Sequence, residues 1–128
     1  NAYMWKLCGE LAEKLNISKE DVYRIHIRAV GIFRVLEIKE DAAKTMFTAW
    51  QRQGLGWFVD EIGTVNEITT AILYYGSSTY NTAQMSRLID SVVQECECQG
   101  IQTKTPDELA KTKSLWEAEP IEEYNSGR

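Results

Sequence analysis

The stretch that decides the fold runs Ile68-Thr69-Thr70-Ala71-Ile72-Leu73-Tyr74-Tyr75-Gly76-Ser77-Ser78-Thr79-Tyr80-Asn81-Thr82-Ala83-Gln84-Met85-Ser86. Its first eight residues, dense in β-branched and aromatic side chains, form the strongest strand in the chain. A run of hydroxyls with almost no charge follows Gly76. From Met85 the apolar residues Leu88, Ile89, Val92, Val93 and Cys96 recur at helical spacing as far as Gly100. Strand, hydroxyl junction and core helix in succession predict an α+β fold. The junction itself has two readings. Unpaired N–H groups, hydroxyls and the positive end of a helix dipole can together hold a phosphate. The same residues are those with which helix N-termini cap themselves.

Upstream of this stretch, Met4, Leu7, Cys8, Leu11 and Leu15 mark an amphipathic helix over Ala2 to Leu15, broken at Asn16 and Ile17. Ser18-Lys19-Glu20-Asp21 has the form of a capping box and opens a second helix that Gly31 can end, so the two should make a hairpin. Ile32 to Ile38 reads as a short strand. Asp41 can cap a third helix through Ala43, Met46, Phe47 and Trp50 to near Gly54, and Gly54-Leu55-Gly56-Trp57-Phe58 reads as a turn with exposed aromatics. Val59 to Asn66 shows no clear period and reads as loop. Downstream, Thr105-Pro106-Asp107-Glu108 opens a last helix through Leu109 toward Trp116. The expected organisation is several amphipathic helices on a small β-sheet in a single domain over 1–118, followed by a mobile acidic tail over 119–128. The chain begins at Asn1 without Met, and the expectation is that native N-terminal residues precede it.

Composition is ordinary for a globular domain, with 44% hydrophobic and 26% charged residues. No run is long enough to span a membrane, and a cytoplasmic setting is expected. The three cysteines, Cys8, Cys96 and Cys98, lack a metal-ligand spacing, and His26 is the one histidine. Metal binding and an HNH-type nuclease are thereby disfavoured, and no cofactor is expected. Ser-His or Cys-His catalysis would have to run through His26, flanked by Ile25 and Ile27 on a helix. The carboxylate pairs Asp60 with Glu61 and Glu122 with Glu123 fall in loop or tail, where solvent leaves them unperturbed. Gly54-Leu55-Gly56 does not make a dinucleotide fingerprint. The chain reads as a binder and not as an enzyme.

Net charge is −5, but its distribution is uneven. Val22 to Leu36 holds Arg24, His26, Arg28 and Arg34 without a carboxylate, and Ala42 to Val59 holds Lys44 and Arg52 without one. Acid gathers in Glu117, Glu119, Glu122 and Glu123. That asymmetry fits a local anion-binding face as well as a solvated helix face.

Three separated pieces resemble the phage NinB (Orf) recombination proteins: Asn1-Ala2-Tyr3-Met4-Trp5-Lys6-Leu7-Cys8-Gly9-Glu10, then Gly76-Ser77-Ser78-Thr79 before a helix, then Leu88-Ile89-Asp90 with Gln99-Gly100-Ile101. The resemblance implies an α+β fold, a homodimer, binding of single-stranded DNA in phage or prophage recombination, and contact with the host single-strand-binding protein. In that family the Asn follows a motif of the Arg-Ser-Leu-x-Gln type, which would precede Asn1. An acidic net charge departs from what a DNA binder usually carries.

Single strands are held by a positive groove with aromatics on which bases stack. Arg24 and Arg28 share one helix face, Arg34 follows on the next strand, Arg52 lies beside Trp50 and Trp57, and Arg87 opens the core helix. Arg24 and Arg28 can alternatively pair with Glu20 or Asp21. Trp5 and Trp50 fall on apolar helix faces and read as core, which leaves Trp57, Tyr75 and Tyr80 as stacking candidates. Ser77, Ser78 and Thr79 complete the expected contact surface. The rival expectation is a protein-interaction module without nucleic-acid binding, docking a partner on the face of Ala2 to Leu15 or at Trp57-Phe58.

Overall fold

Asn1 caps the first helix with its own side chain, which accepts the Met4 N–H at 3.0 Å. The computed structural model describes residues 1–116, so the acidic residues from Glu117 onward and the tail expected over 119–128 lie outside the described residues. Helix α1 (Ala2–Leu15) ends at Asn16, whose φ of 58° is the left-handed conformation that Asn tolerates. Ser18 repeats the capping device for α2 (Lys19–Val30) by accepting the Asp21 N–H, and α1 and α2 form the expected hairpin. The chain then enters β1 (Phe33–Lys39).

β1 passes into α3 (Glu40–Gln51) without a break. Asp41 is therefore not the cap expected from its residue type: the cap position falls two residues earlier, at Lys39, with no side-chain cap hydrogen bond. The reason is tertiary. The Glu40 N–H donates to the Glu67 carbonyl at 2.9 Å, so a neighbouring turn does the work of a cap.

The segment read as loop is a strand, β2 (Phe58–Val65), joined to β3 (Ile68–Tyr74) by the two residues Asn66 and Glu67. Both have positive φ, 51° and 65°, which is the type I′ geometry that matches the twist of a hairpin. Two things hide this strand from a periodicity argument. It is an edge strand exposed along most of its length, so no alternation of burial is imposed on its sequence, and a bulge between Glu61 and Gly63 shifts the register midway. The order β1-β3-β2, antiparallel throughout, places β3 at the centre, in keeping with its strength as a strand in the sequence.

α3 covers one sheet face, burying Ala43 and Phe47 against Ala71 and Leu73, with Leu36, Ile38, Met46, Trp50 and Val59 at the margin. The larger core lies among α1, α2 and α4 (Thr82–Cys98), where Leu11, Ile27, Leu88, Ile89 and Val92 are fully buried. Phe58 and Tyr74 stack at 4.4 Å and tie the end of the sheet into this core. α5 (Pro106–Trp116) opens with the predicted Thr105–Glu108 capping box and is held to α4 by Lys113 against Asp90 at 2.6 Å. Among the described residues this is an α+β domain of five α-helices and a three-stranded antiparallel sheet, and none of its helices is long and apolar enough to cross a membrane.

Candidate nucleic-acid interface

The hydroxyl junction is built inward. Ser77–Thr79 forms one 3-10 turn, then Asn81 caps α4 in a reciprocal box with Gln84. Most of its donors are consumed at once: Ser77 N–H goes to the Tyr23 hydroxyl, Thr79 N–H to Gly76, Tyr80 N–H to Ser77, and Asn81 N–H to Gln84. The hydroxyls of Tyr23 and Ser77 lie 2.6 Å apart and buried. Tyr80, only 2% exposed, accepts the Ile32 N–H and donates to the Tyr75 carbonyl, both at 3.0 Å, closing the last rung between β1 and β3 with its phenol. Burial pushes the Tyr80 hydroxyl up to about 12. The junction is thus a plug that ties α2, β1, β3 and α4 together.

Glycine is required where this plug is tightest. A Cβ on Gly76 would stand 2.4 Å from Trp57 Nε1, and one on Gly56 would stand 2.8 Å from the Tyr23 hydroxyl. The turn expected to expose its aromatics instead buries them, with Trp57 and Phe58 each 8% exposed. Trp57, Tyr75 and Trp50 meet mutually at 5.0 to 5.5 Å between ring centres, and Trp50 Nε1 donates to the Tyr74 carbonyl at 2.9 Å. Trp57, Tyr80 and Ser77 therefore offer no free face or hydroxyl to a nucleic acid, because the same rings and hydroxyls close the core. Trp5 and Trp50 pack against the two cores, as their positions on apolar helix faces predict. Of the expected contacts at the junction, Tyr75 and Ser78 are half-buried and Thr79 is exposed.

The five arginines divide into two sets. Arg28 Nε and Nη2 clasp Asp60 at 2.7 and 3.0 Å while its guanidinium lies 4.9 Å from the Phe58 ring centre, which latches α2 to β2. This pairing holds the Asp60 carboxyl below and the Arg28 guanidinium above their ordinary ranges. Arg24 donates to the Leu55 carbonyl and lies 3.7 Å from Asp21, one of the acidic partners its spacing allows. The side chains of Arg34, Arg52 and Arg87 make no hydrogen bond or ion pair among the described residues. Arg34 is on β1 opposite Leu73, and Arg52 is the C-cap of α3, two residues beyond Trp50, whose indole N–H donates to the Tyr74 carbonyl, so both lie toward the end of the sheet that carries Tyr74 and Tyr75. Arg87 is exposed on the second turn of α4.

Residues with catalytic chemistry are distributed differently. His26 is buried, its Nδ1 2.8 Å from Ser91 Oγ on α4, and burial lowers its basicity against a weaker upward pull from Glu95. Cys8 and Cys96 are buried thiols pushed up to about 12 and about 11, chiefly by burial, so neither is a thiolate nucleophile near neutral pH. Cys98, two residues on, is exposed. Among the described residues no group of His, Cys, Asp and Glu is arranged to hold a metal ion. Sequence reasoning missed Tyr23 and Ser91 altogether. Their partners, Ser77 and His26, are 54 and 65 residues away, and no local spacing signals such pairs. Compared with protein-family models, curated proteins and solved structures, the chain matches none.

Proposed function

We propose that this protein binds single-stranded DNA without catalysis, as a homodimer acting in phage or prophage recombination, with Arg34, Arg52 and Arg87 against phosphates and Tyr75, Ser78 and Thr79 beside them. The observation that carries the reading is the division of the arginines: those three have no acidic partner among the described residues, whereas Arg24 and Arg28 are engaged. Three cations on a chain of net charge −5 make a local contact surface without general affinity for polyanions. The resemblance to the NinB (Orf) proteins supplies the DNA, the dimer and the host single-strand-binding protein as partners.

Fluorescence anisotropy with a labelled oligonucleotide tests this. Three phosphate contacts predict a plot of log K against log salt with a slope of about −2, at about −0.7 per phosphate for a single strand. Each charge reversal among Arg34, Arg52 and Arg87 should weaken binding and flatten that slope, while reversal of Arg24 should leave the slope alone. Absence of binding at low salt would sink the proposal.

One observation favours the protein-interaction reading. The two docking surfaces expected for it, the apolar face of α1 and the Trp57-Phe58 turn, are buried in this fold, but the sheet face away from α3 leaves Phe33, Val35 and Val65 exposed by 57, 59 and 72%.

A further inference from the structure

β1 and β2 are the two edges of the sheet, and they are built differently. β2 is interrupted by its bulge and carries Asp60, Glu61 and Gly63, devices that natural edges use against unwanted pairing. β1 also carries charged residues, Arg34, Glu37 and Lys39, but no bulge interrupts it. Its seven residues run in unbroken register, without Pro or Gly, and Phe33 and Val35 stand more than half exposed. Two backbone bonds fix the phase of its ladder: Tyr75 N–H donates to the Ile32 carbonyl at 3.0 Å, and Glu40 N–H to the Glu67 carbonyl at 2.9 Å. Even-numbered residues thus bond inward to β3. By the alternation of an antiparallel ladder, the N–H and C=O groups of Phe33, Val35, Glu37 and Lys39 point outward from the free edge.

We infer that this edge pairs with β1 of a second copy of the chain, antiparallel about a two-fold axis at Leu36, making one continuous sheet from two. The inference rests on the dimeric part of the reading above and is independent of the DNA. What selects a second copy is the self-complementary charge pattern. A register centred on Leu36 pairs the whole strand, sets Val35 against Glu37 and Phe33 against Lys39 of the other copy, and opposes no like charges. The Lys39 ammonium can then lie over the Phe33 ring. Centring on Arg34 or on Glu37 would instead oppose two guanidinium groups or two carboxylates. On the α3 side, Leu36 meets Leu36 of the second copy and Arg34 stands opposite its Ile38, so each copy brings a guanidinium to one shared trough.

Sedimentation velocity over a concentration series from low micromolar to several hundred micromolar tests the seam. The wild-type chain should show a reversible monomer–dimer equilibrium. Val35→Pro removes an outward N–H and leaves the β3 ladder intact, so it should weaken association on the order of 100-fold, two backbone hydrogen bonds being lost per dimer. Val59→Pro, the matched change on the outward side of β2, should leave association unchanged. Because a proline variant can fail to fold, Leu36→Cys in a Cys98→Ser background gives a second measurement. The non-hydrogen-bonded pair at the axis sits at disulfide distance, so this variant should form a covalent dimer under mild oxidation. A wild-type chain that stays monomeric overturns the inference, as does a dimer that survives Val35→Pro and fails to cross-link at position 36. Capture of a foreign extended peptide at β1 by a monomeric chain also overturns it. A monomer that still binds oligonucleotide would overturn the seam and leave the DNA reading standing.

Discussion

The two hydrophobic clusters of this protein are unequal. Between α1, α2 and α4 the side chains of Leu7, Leu11, Ile27, Leu88, Ile89 and Val92 reach exposures of 1% or less, and the hydroxyls that enter this core are bonded to one another or to backbone. Between α3 and the sheet the buried apolar residues are only Ala43, Phe47, Ala71 and Leu73, joined by Thr69, and a groove of about 440 Å³ lined by Phe47, Val59, Glu40, Lys44 and Glu61 stays open beside them. Stability and surface chemistry therefore reside in different layers. The helical body holds the fold together, and the sheet layer, half covered, carries the free edge, the apolar face and two of the three unengaged arginines.

Truncating side chains in the two clusters should have very different costs. Ile89→Ala should cost about 3–4 kcal/mol and half-buried Leu36→Ala about 1 kcal/mol, read from chemical denaturation, because cavity cost scales with how little the surroundings can relax. Equal losses would mean that the two clusters are one cooperative core of uniform quality. Next in size is the buried plug: Tyr23→Phe strands the Ser77 N–H and should cost about 2 kcal/mol, more than Ser77→Ala, which keeps that N–H bonded to the phenol. A reversed order would show that the plug is not satisfied through Tyr23.

The sheet layer offers a change of opposite sign. Glu67 sits at φ 65° in the type I′ turn, a conformation that a Cβ disfavours, so Glu67→Gly should stabilise the protein by about 1 kcal/mol. Its side chain makes no hydrogen bond or ion pair among the described residues to set against this gain. Thermal melts of the two chains decide the matter, and an unchanged or lower midpoint would mean that the turn needs the Glu side chain.

The smallest expected effect is the pH dependence at the α2–α4 contact. Unfolded, His26 titrates near its ordinary 6.5; folded, burial holds it lower, with Glu95 pulling weakly the other way. The folded state therefore binds fewer protons, so this contribution is complete above the ordinary value and is lost as pH falls toward the lowered one. His26→Gln should flatten the stability profile below neutrality, and a profile as steep as that of the wild-type chain would locate the titration elsewhere.

Much of the helical body is legible from residue spacing, since the caps at Ser18, Asn81 and Thr105 and the period of Leu88 to Cys96 are local properties. β2 is not legible, because an exposed, bulged edge strand is under no demand to alternate. The candidate site divides the same way. That Arg24 can pair with Asp21 follows from helical spacing, whereas the engagement of Arg28 with Asp60 links positions 32 residues apart.

Local residue order suffices for an α+β domain with a capped core helix behind its best strand, because propensity, period and capping act within a few residues. Tertiary packing, by contrast, turns Ser77 and Tyr80 of the hydroxyl junction inward while Thr79 stays exposed. Tyr23, Trp57 and Gly56 come from other segments to fill the junction, and a hydroxyl can end in a core as readily as at a surface once a partner is brought to it.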